Sequence, residues 1–238
     1  MRLLILADSL SLPSDELNYD DTWPHFLKQE YPQFEIVERN FRESSARRLS
    51  WDGPGGNGKD ALEYFSPNVV ITQFGITDAA PRLLKRTGIL ARILNKAPHS
   101  ISKVVYDFLR KHRGRLPRFS DLTPEEFYTH FNNYCKRANS QGVKVFITEI
   151  CPGTNSVLKV SPKFNECVDC FNRQLHRVAQ QNPNATIIPA ISVNQEEPSD
   201  FQSDGYHHSA TGQRKQYRLI VDALRREGVI PDSSNKGL

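Results

Sequence analysis

The segment Leu3-Leu4-Ile5-Leu6-Ala7-Asp8-Ser9 decides the fold of this chain. Its four leading apolar residues are typical of a strand that is buried on both faces of a parallel sheet. The polar residues Asp8 and Ser9 follow directly, where such a strand ends. Because open α/β sheets bind their ligands beyond the carboxyl ends of the strands, we predict that Ser9 lies at the functional edge of a sheet.

Strand-like and helix-like segments alternate along the rest of the chain. Further strands are predicted at Phe34–Val37, Asn68–Gln73, Val143–Thr148 and Thr186–Ile188. Apolar periodicity and capping residues predict helices at Thr22–Gln29, near Asp60–Tyr64, from Thr123 to about Ser140, at Phe164–Gln181 and at Thr211–Gly228. Repeated strand–helix units imply right-handed crossovers and helices on both sheet faces. We therefore predict an α/β fold, a three-layer, flavodoxin-like arrangement around a five-stranded parallel sheet.

The opposite end of the chain carries the stretch Ser203-Asp204-Gly205-Tyr206-His207-His208-Ser209-Ala210-Thr211-Gly212. A serine hydroxyl becomes an effective nucleophile when a neighbouring base takes its proton. A carboxylate that orients the base completes the arrangement, and Asp204 can do this for His207 within one loop. Alone, Ser9 could equally cap a turn and His207 could be a surface histidine. Together they predict a catalytic triad of Ser9, His207 and Asp204.

Four blocks of the sequence resemble the SGNH (GDSL-like) hydrolase superfamily. The first and last family blocks, Gly-Asp-Ser and Asp-x-x-His, are similar to Ala7-Asp8-Ser9 and Asp204-x-x-His207. The second and third blocks resemble Asn40–Ser45 and Gln73–Asp78 more weakly, since Ser45 replaces a glycine and Thr77 replaces the asparagine of Gly-x-Asn-Asp. The blocks span residues 7 to 212, so the resemblance covers nearly the whole chain and implies the SGNH hydrolase fold.

The resemblance also implies an oxyanion hole. Carried over, it would consist of the backbone N–H groups of Ser9 and Ser45 and the side chain of Thr77. A threonine hydroxyl can donate a hydrogen bond but is shorter than an amide, so another side chain could take its place. Candidate substrate-binding residues are Asn40, Asp78 and Arg82, although Asp78 could instead hold its loop together and Arg82 could form a salt bridge.

Family members are esterases, lipases and O-acetyltransferases. We predict a serine esterase that removes an acyl group, most simply acetyl, from a carbohydrate or another small ester through an acyl-enzyme. One alternative is an O-acetyltransferase acting on a polysaccharide or sugar. Another is a catalytically degenerate domain that binds a glycan or a partner, because the second and third blocks are substituted. The predicted partner is the ester substrate, and no cofactor is predicted.

A strongly basic segment follows the third predicted strand. Residues 79–121 contain eleven lysines and arginines but two acids, and so carry a net charge of +9, whereas the whole chain carries +4. Within this segment the apolar spacing of Ile101–Leu109 predicts an amphipathic helix. We interpret the segment as a helical insertion that is either simply solvated or forms a lid attracting an anionic substrate or a membrane surface. No nucleic-acid-binding motif is recognised, so nucleic acid is not expected.

The 238 residues are enough for one α/β domain, predicted at 1–230, with a flexible polar tail at 231–238. No stretch approaches the ~20 apolar residues of a membrane span. The four cysteines fit a reducing compartment, and with the lack of a signal-peptide pattern they place the protein in the cytoplasm. His207 and His208 with Asp204 could suggest a metal site, but no further ligand cluster supports it. We predict no metal and expect His208 to be peripheral to the site.

Overall fold

The computed structural model describes residues 1–50, 62–81, 89–111, 120–193 and 199–231. Five parallel strands form one sheet: β1 (Arg2–Ala7), β2 (Glu35–Asn40), β3 (Val69–Gln73), β4 (Lys144–Thr148) and β5 (Ala185–Ile188). Their spatial order is β2-β1-β3-β4-β5, which is the flavodoxin-like order with a switch point between β1 and β3. The predicted α/β fold is confirmed.

The described helices lie along the chain between these strands. They are α1 (Trp23–Glu30), α2 (Ile76–Ala79), α3 (Ile89–Lys96), α4 (His99–Lys111), α5 (Pro124–Ser140), α6 (Asn155–Val160), α7 (Phe164–Gln181) and α8 (Ala210–Arg226). Helices α5 and α7 contact each other, and α1 contacts α8. The two pairs cover opposite faces of the sheet, which gives the predicted three layers.

Strand β1 lies in the middle of the sheet and feeds two cores. Leu4 and Leu6 pack with the apolar residues of α5 and α7, whereas Leu3 and Ile5 pack with those of α1 and α8. All four side chains are fully buried. Side chains alternate between the faces of a strand, so a strand buried on both sides must be apolar at every position. This is the physical reason for the continuous apolar run.

Several boundaries differ from the sequence-based predictions. Strand β2 extends to Asn40 rather than Val37, because it pairs with β1 along its whole length and Asn40 lies opposite Ala7. The helix predicted near Asp60–Tyr64 is wrong for its described part, since residues 62–65 form a turn. Helices α2 and α6 were not predicted, because four and six residues are too few to show a helical period.

The start of α5 is confirmed in detail. The Thr123 hydroxyl accepts a hydrogen bond from the Glu126 N–H at 3.2 Å, and the Glu126 carboxylate accepts one from the Thr123 N–H at 2.7 Å. This reciprocal capping box satisfies two N–H groups that a helix terminus would otherwise leave unpaired. Pro124 occupies the first helical position, where its missing N–H costs nothing.

The described part of the basic segment contains two helices. Helices α3 and α4 lie within it, and α4 contains the amphipathic helix predicted at Ile101–Leu109. Residues 82–88 and 112–119 lie outside the described part, as does the predicted tail beyond residue 231. Within the described ranges, no helix combines the length and apolar character needed to cross a membrane.

Two loops from opposite ends of the chain are fastened together at the carboxyl edge of the sheet. Gln213, on α8, donates a hydrogen bond to the Leu10 carbonyl at 2.7 Å and accepts one from the Trp23 N–H at 3.1 Å. The Trp23 indole N–H in turn donates to the Gln73 side chain at 2.8 Å. Gln213 is 1% exposed. The buried amide therefore joins α8, the start of α1 and the turn that follows β1.

We expect Gln213→Leu to lower the free energy of unfolding by about 2–5 kcal/mol, because it leaves two buried backbone groups, the Leu10 carbonyl and the Trp23 N–H, without partners. Urea unfolding followed by circular dichroism measures this change. Gln180→Leu, at an exposed position of α7, is the matched control and should change stability by less than about 0.5 kcal/mol. Equal stability of the two variants would contradict the role assigned to Gln213.

Candidate active site

Ser9 lies in a tight turn directly after β1. The Asp8 N–H donates to the Gln73 carbonyl at 3.0 Å, which continues the pairing of β1 with β3 by one residue. The Asp8 carboxyl group accepts a hydrogen bond from the Leu10 N–H at 3.0 Å and caps the short 3₁₀ turn Ser9–Ser11. The turn ends the strand abruptly, so the Ser9 side chain stands beyond the sheet edge.

The partner loop, residues 200–208, is ordered by its own aspartate. One Asp204 carboxyl oxygen accepts hydrogen bonds from the Tyr206 N–H at 3.1 Å and the His207 N–H at 3.0 Å. Gly205 has φ of +80° and sits against the loop after β4, where an added Cβ would come within 2.3 Å of the hydroxyls of Thr154 and Ser156. A glycine is required there for both conformation and space.

The structure brings the three predicted catalytic residues together. The His207 Nε2 atom lies 3.0 Å from the Ser9 hydroxyl, and its Nδ1 atom lies 2.5 Å from the second Asp204 carboxyl oxygen. An ionised carboxylate can only accept a hydrogen bond, so Nδ1 carries the proton and Nε2 is left to accept from the serine. Both distances are within hydrogen-bonding range, as a nucleophile, a base and an orienting group require.

Asp204 is held in its charged form. Burial acts to raise the pKa of its carboxyl group, but hydrogen bonds from the His207 side chain and from the N–H groups of His207 and Tyr206 outweigh this effect and lower the pKa below its usual value. The carboxylate can therefore stabilise a positive charge that forms on the imidazole ring when His207 takes a proton.

Asp78 is placed behind the site. It is fully buried, and its carboxyl oxygens accept hydrogen bonds from the Ser45 hydroxyl at 2.6 Å and the Ala46 N–H at 2.8 Å. Burial raises its pKa to about 6, against the opposing effect of these donors. Asp78 does not line the cleft beside Ser9, and its contacts tie the turn at Ser45 to α2.

Of the remaining predicted site residues, some line the cleft and others do not. Thr77, on α2, lines the cleft with Ser9. Within the described ranges, neither the Ser9 N–H nor the Ser45 N–H donates a hydrogen bond to the chain. The Asn40 amide donates to Glu38 at 2.8 Å and is not part of the cleft lining. Arg82 lies outside the described residues.

The cleft has a volume of about 510 Å³. Its described lining includes apolar side chains from α2, from the two residues that follow α2, from α6 and from α7, and polar side chains from α2, α6 and three loops. The apolar members are Ile76, Ala80, Pro81, Val157, Val160 and Phe164, and the polar members beside the triad are Arg42, Glu43, Thr77, Ser156, Ser161 and Tyr206. Sequence reasoning missed most of these residues. The short helix α6 has no sequence signal, but Tyr206 lies inside the stretch Ser203–Gly212 that carries the base.

Solved structures of several lipolytic enzymes superpose on nearly the whole chain, although no family model and no curated protein matches it. TesA superposes with a TM-score of 0.61 at 16% identity, over 95% of this chain and 99% of TesA. The psychrotrophic esterase EstA from Pseudoalteromonas sp. gives 0.59 at 14% identity, over 96% and 99%. A GDSL-like lipase from Bacteroides thetaiotaomicron gives 0.59 at 12%, over 95% and 88%.

The chain has the SGNH hydrolase fold. The superpositions cover nearly the whole chain, as the sequence blocks predicted. At this level of identity the likeness concerns the fold, and the chemistry of the site rests on the geometry of Ser9, His207 and Asp204 in this chain.

The loop of residues 200–208 carries a second histidine, His208, next to the base. His208 does not line the cleft beside Ser9. It is 1% exposed and packs against Phe201 in a T-shaped arrangement, with 5.7 Å between the ring centroids. Neither of its ring nitrogens has a hydrogen-bond partner among the described residues. Burial lowers its pKa to about 4, with a further contribution from the neighbouring His207. His208 is thus kept neutral.

Burial shifts the pKa of Asp8, the residue before the nucleophile, in the opposite direction from that of His208. Asp8 is fully buried, and burial raises its pKa to about 8, with the charge of Asp78 acting in the same direction and the Leu10 N–H opposing both.

The other candidate ligands and thiols give no metal site: within the described part of the chain, no three His, Cys, Asp or Glu residues are grouped to hold an ion. Cys167 and Cys170 are half-buried thiols on α7.

Protonation of His208 should disfavour the folded state in acid, whereas the raised pKa values of Asp8 and Asp78 act in the opposite direction. The ordinary His208 pKa of 6.5 is lowered to about 4 on folding, so the unfolded chain binds a proton more readily between these values. The loss from His208 should reach about 2 kcal/mol between about pH 8 and about pH 5. Denaturant unfolding at both pH values should show that the change in stability from about pH 8 to about pH 5 is about 2 kcal/mol more favourable in His208→Phe and His208→Asn than in the wild type. A stability difference between wild type and both variants that is the same at the two pH values would contradict the assignment.

Proposed function

We propose that this protein is a serine ester hydrolase that uses Ser9, His207 and Asp204 to form and hydrolyse an acyl-enzyme. One observation carries the proposal: the continuous hydrogen-bonded series from the Asp204 carboxylate through both ring nitrogens of His207 to the Ser9 hydroxyl. The series opens directly into the cleft, whose lining includes all three residues. A solely structural serine would need neither an oriented imidazole nor access to a cleft.

The reaction follows from this geometry. The His207 Nε2 atom takes the hydroxyl proton as the Ser9 oxygen attacks the ester carbonyl, and the Asp204 carboxylate stabilises the imidazolium that forms. The same Nε2 proton then passes to the departing alcohol. Water that enters the cleft loses a proton to Nε2 and attacks the acyl carbonyl, and the acid leaves as Ser9 recovers its proton. Each step moves one proton to or from the His207 Nε2 atom, which lies 3.0 Å from the Ser9 hydroxyl. The other proton partners are the departing alcohol and the attacking water.

The developing negative charge on the carbonyl oxygen needs preorganised donors. We assign this role to the N–H groups of Ser9 and Ser45 and to the hydroxyl of Thr77. The Ser45 turn is held by Asp78 through two hydrogen bonds, which fixes the direction of its backbone. Thr77 occupies α2 in the cleft wall. A fixed turn costs no reorganisation during the reaction, which is what makes such donors effective.

The two kinds of cleft lining favour a substrate with two unlike parts. The apolar side chains of α2 and α6, including Ile76 and Val157, suit a short acyl group such as acetyl. The polar side chains of Arg42, Glu43 and Ser156 suit an alcohol that is rich in hydroxyl groups. The Tyr206 ring, at 4.4 Å from the His207 ring, adds an aromatic face beside the base. We therefore propose an acetylated carbohydrate as the substrate class.

Release of p-nitrophenol from p-nitrophenyl acetate tests the proposal. Ser9→Ala should lower kcat by roughly 10³- to 10⁶-fold, because the acyl-enzyme can no longer form. Ser11→Ala, in the same turn but bonded to the Asp8 carbonyl, is the matched control and should retain most of the activity. Turnover that survives Ser9→Ala would exclude the covalent mechanism, and absence of turnover on a broad panel of acyl esters would exclude the enzyme.

The same assay separates hydrolysis from transfer. With an unacetylated oligosaccharide present, a hydrolase should release acetate at an unchanged rate and leave the sugar unmodified. Faster p-nitrophenol release together with acetylated sugar, detected by mass spectrometry, would instead identify an O-acetyltransferase.

Thr77→Val tests the third oxyanion donor. Valine keeps the shape of threonine but lacks the hydroxyl, so we expect kcat to fall by roughly 10²-fold with little change in KM, since the donor acts mainly in the transition state. Thr129→Val, on α5 outside the cleft lining, should leave both constants unchanged. An unaltered kcat in Thr77→Val would assign the third donor to another group.

A further inference from the structure

The helices α3 and α4 present large apolar side chains to solvent. Ile89 and Ile93 on α3 are 76% and 57% exposed, and Ile101, Val104 and Phe108 on α4 are 55%, 69% and 58% exposed. These five make up half of the exposed large apolar side chains in the described part of the protein. Exposed apolar groups that are concentrated rather than scattered mark interaction surfaces.

The apolar side chains on α4 form one stripe. Ile101, Val104 and Phe108 follow each other at spacings of three and four residues, which places them on the same face of a helix. Lys103 and Asp107 are exposed on the other faces. On α3, Leu94 is 6% exposed, and α3 contacts α4. The stripe is therefore the solvent-facing side of α4.

The charge of the sequence segment that carries this stripe indicates what it can bind. Residues 79–121 carry a net charge of +9, and Lys96 and Lys103 are exposed on α3 and α4 themselves. A dissolved anionic substrate or a nucleic acid would account for the basic residues but not for the exposed stripe. An anionic lipid surface accounts for both, because its headgroups attract lysines and arginines while the apolar stripe enters the boundary of the acyl chains.

We propose that the α3–α4 segment docks this protein onto an anionic lipid surface, with the stripe of α4 lying in the plane of the interface. The proposal goes beyond the ester hydrolase function and does not depend on it. It also gives the cleft a location. Pro81 lines the cleft and α3 begins eight residues later, at Ile89, so at most about 28 Å of chain separates them. Docking therefore holds the cleft close to the membrane surface.

Co-sedimentation of the full-length protein with lipid vesicles tests the docking. The wild type should bind phosphatidylglycerol-containing vesicles at least roughly tenfold more strongly than pure phosphatidylcholine vesicles, and added salt should weaken this binding. Lys96→Glu with Lys103→Glu should weaken it by roughly 25-fold or more, since each basic residue near such a surface contributes about fivefold. Binding that is equal for the two kinds of vesicle would overturn the proposal.

A matched pair of substitutions tests the stripe itself. Val104 and Tyr64 are 69% and 70% exposed, and Tyr64 lies in the turn at residues 62–65 rather than on α4. Val104→Asp should weaken binding to anionic vesicles by at least roughly tenfold, whereas Tyr64→Asp should change it by less than about threefold. Circular dichroism and the rate of p-nitrophenyl acetate hydrolysis confirm that each variant is folded. Equal binding by the two variants would overturn the proposal.

Sedimentation velocity and the Ser9→Ala variant each test the docking further. Sedimentation velocity without lipid should show no association that Val104→Asp abolishes; such association would mean that a second copy covers the stripe, and would overturn the proposal. Ser9→Ala should bind vesicles as the wild type does. Vesicle binding by a wild-type protein that turns over no ester would contradict the proposed hydrolase while leaving the docking supported.

Discussion

The hydrogen bond between the Ser9 hydroxyl and the His207 ring joins residues that are 198 positions apart. Neither loop can hold this geometry alone, since each is a short turn at the end of the sheet. The constraint comes from polar contacts that join the two ends of the chain: the buried Gln213 amide satisfies backbone groups near Ser9, and Glu16 accepts hydrogen bonds from Ser203 beside Asp204. An unpaired buried backbone group is costly, so separating the loops would be costly too.

The environment of each carboxyl group at this sheet edge decides what it does. Asp204 is partly exposed and accepts three hydrogen bonds, which lower its pKa. Asp8 and Asp78 are fully buried, and their pKa values rise to about 8 and about 6. Only the first of the three is thus stabilised as a charged group next to the base. The two histidines also differ in environment: His207 lines the cleft, whereas His208 is buried and burial lowers its pKa to about 4.

The cleft wall and the basic segment form one stretch of chain with two kinds of surface. Helix α2 presents Thr77 to the site, and the chain then leads into α3 and α4, where apolar side chains face solvent. A helix normally buries its apolar face against the protein. Here the buried cores are formed by the sheet and by the helices on its two faces. The exposed stripe of α4 is the part that we propose to enter a lipid surface.

The sequence alone determined the three-layer fold and the candidate trio, because both depend on local patterns: Leu3–Leu6 is apolar at every position, and Ser9, Asp204 and His207 follow or precede regular elements. The tertiary structure alone decided the cleft walls, since α2 and α6 are too short to have a detectable period. It also decided that Asp78 supports the Ser45 turn and that His208 is buried. Burial and pairing between distant segments depend on how the layers pack, and no local pattern of residues records them.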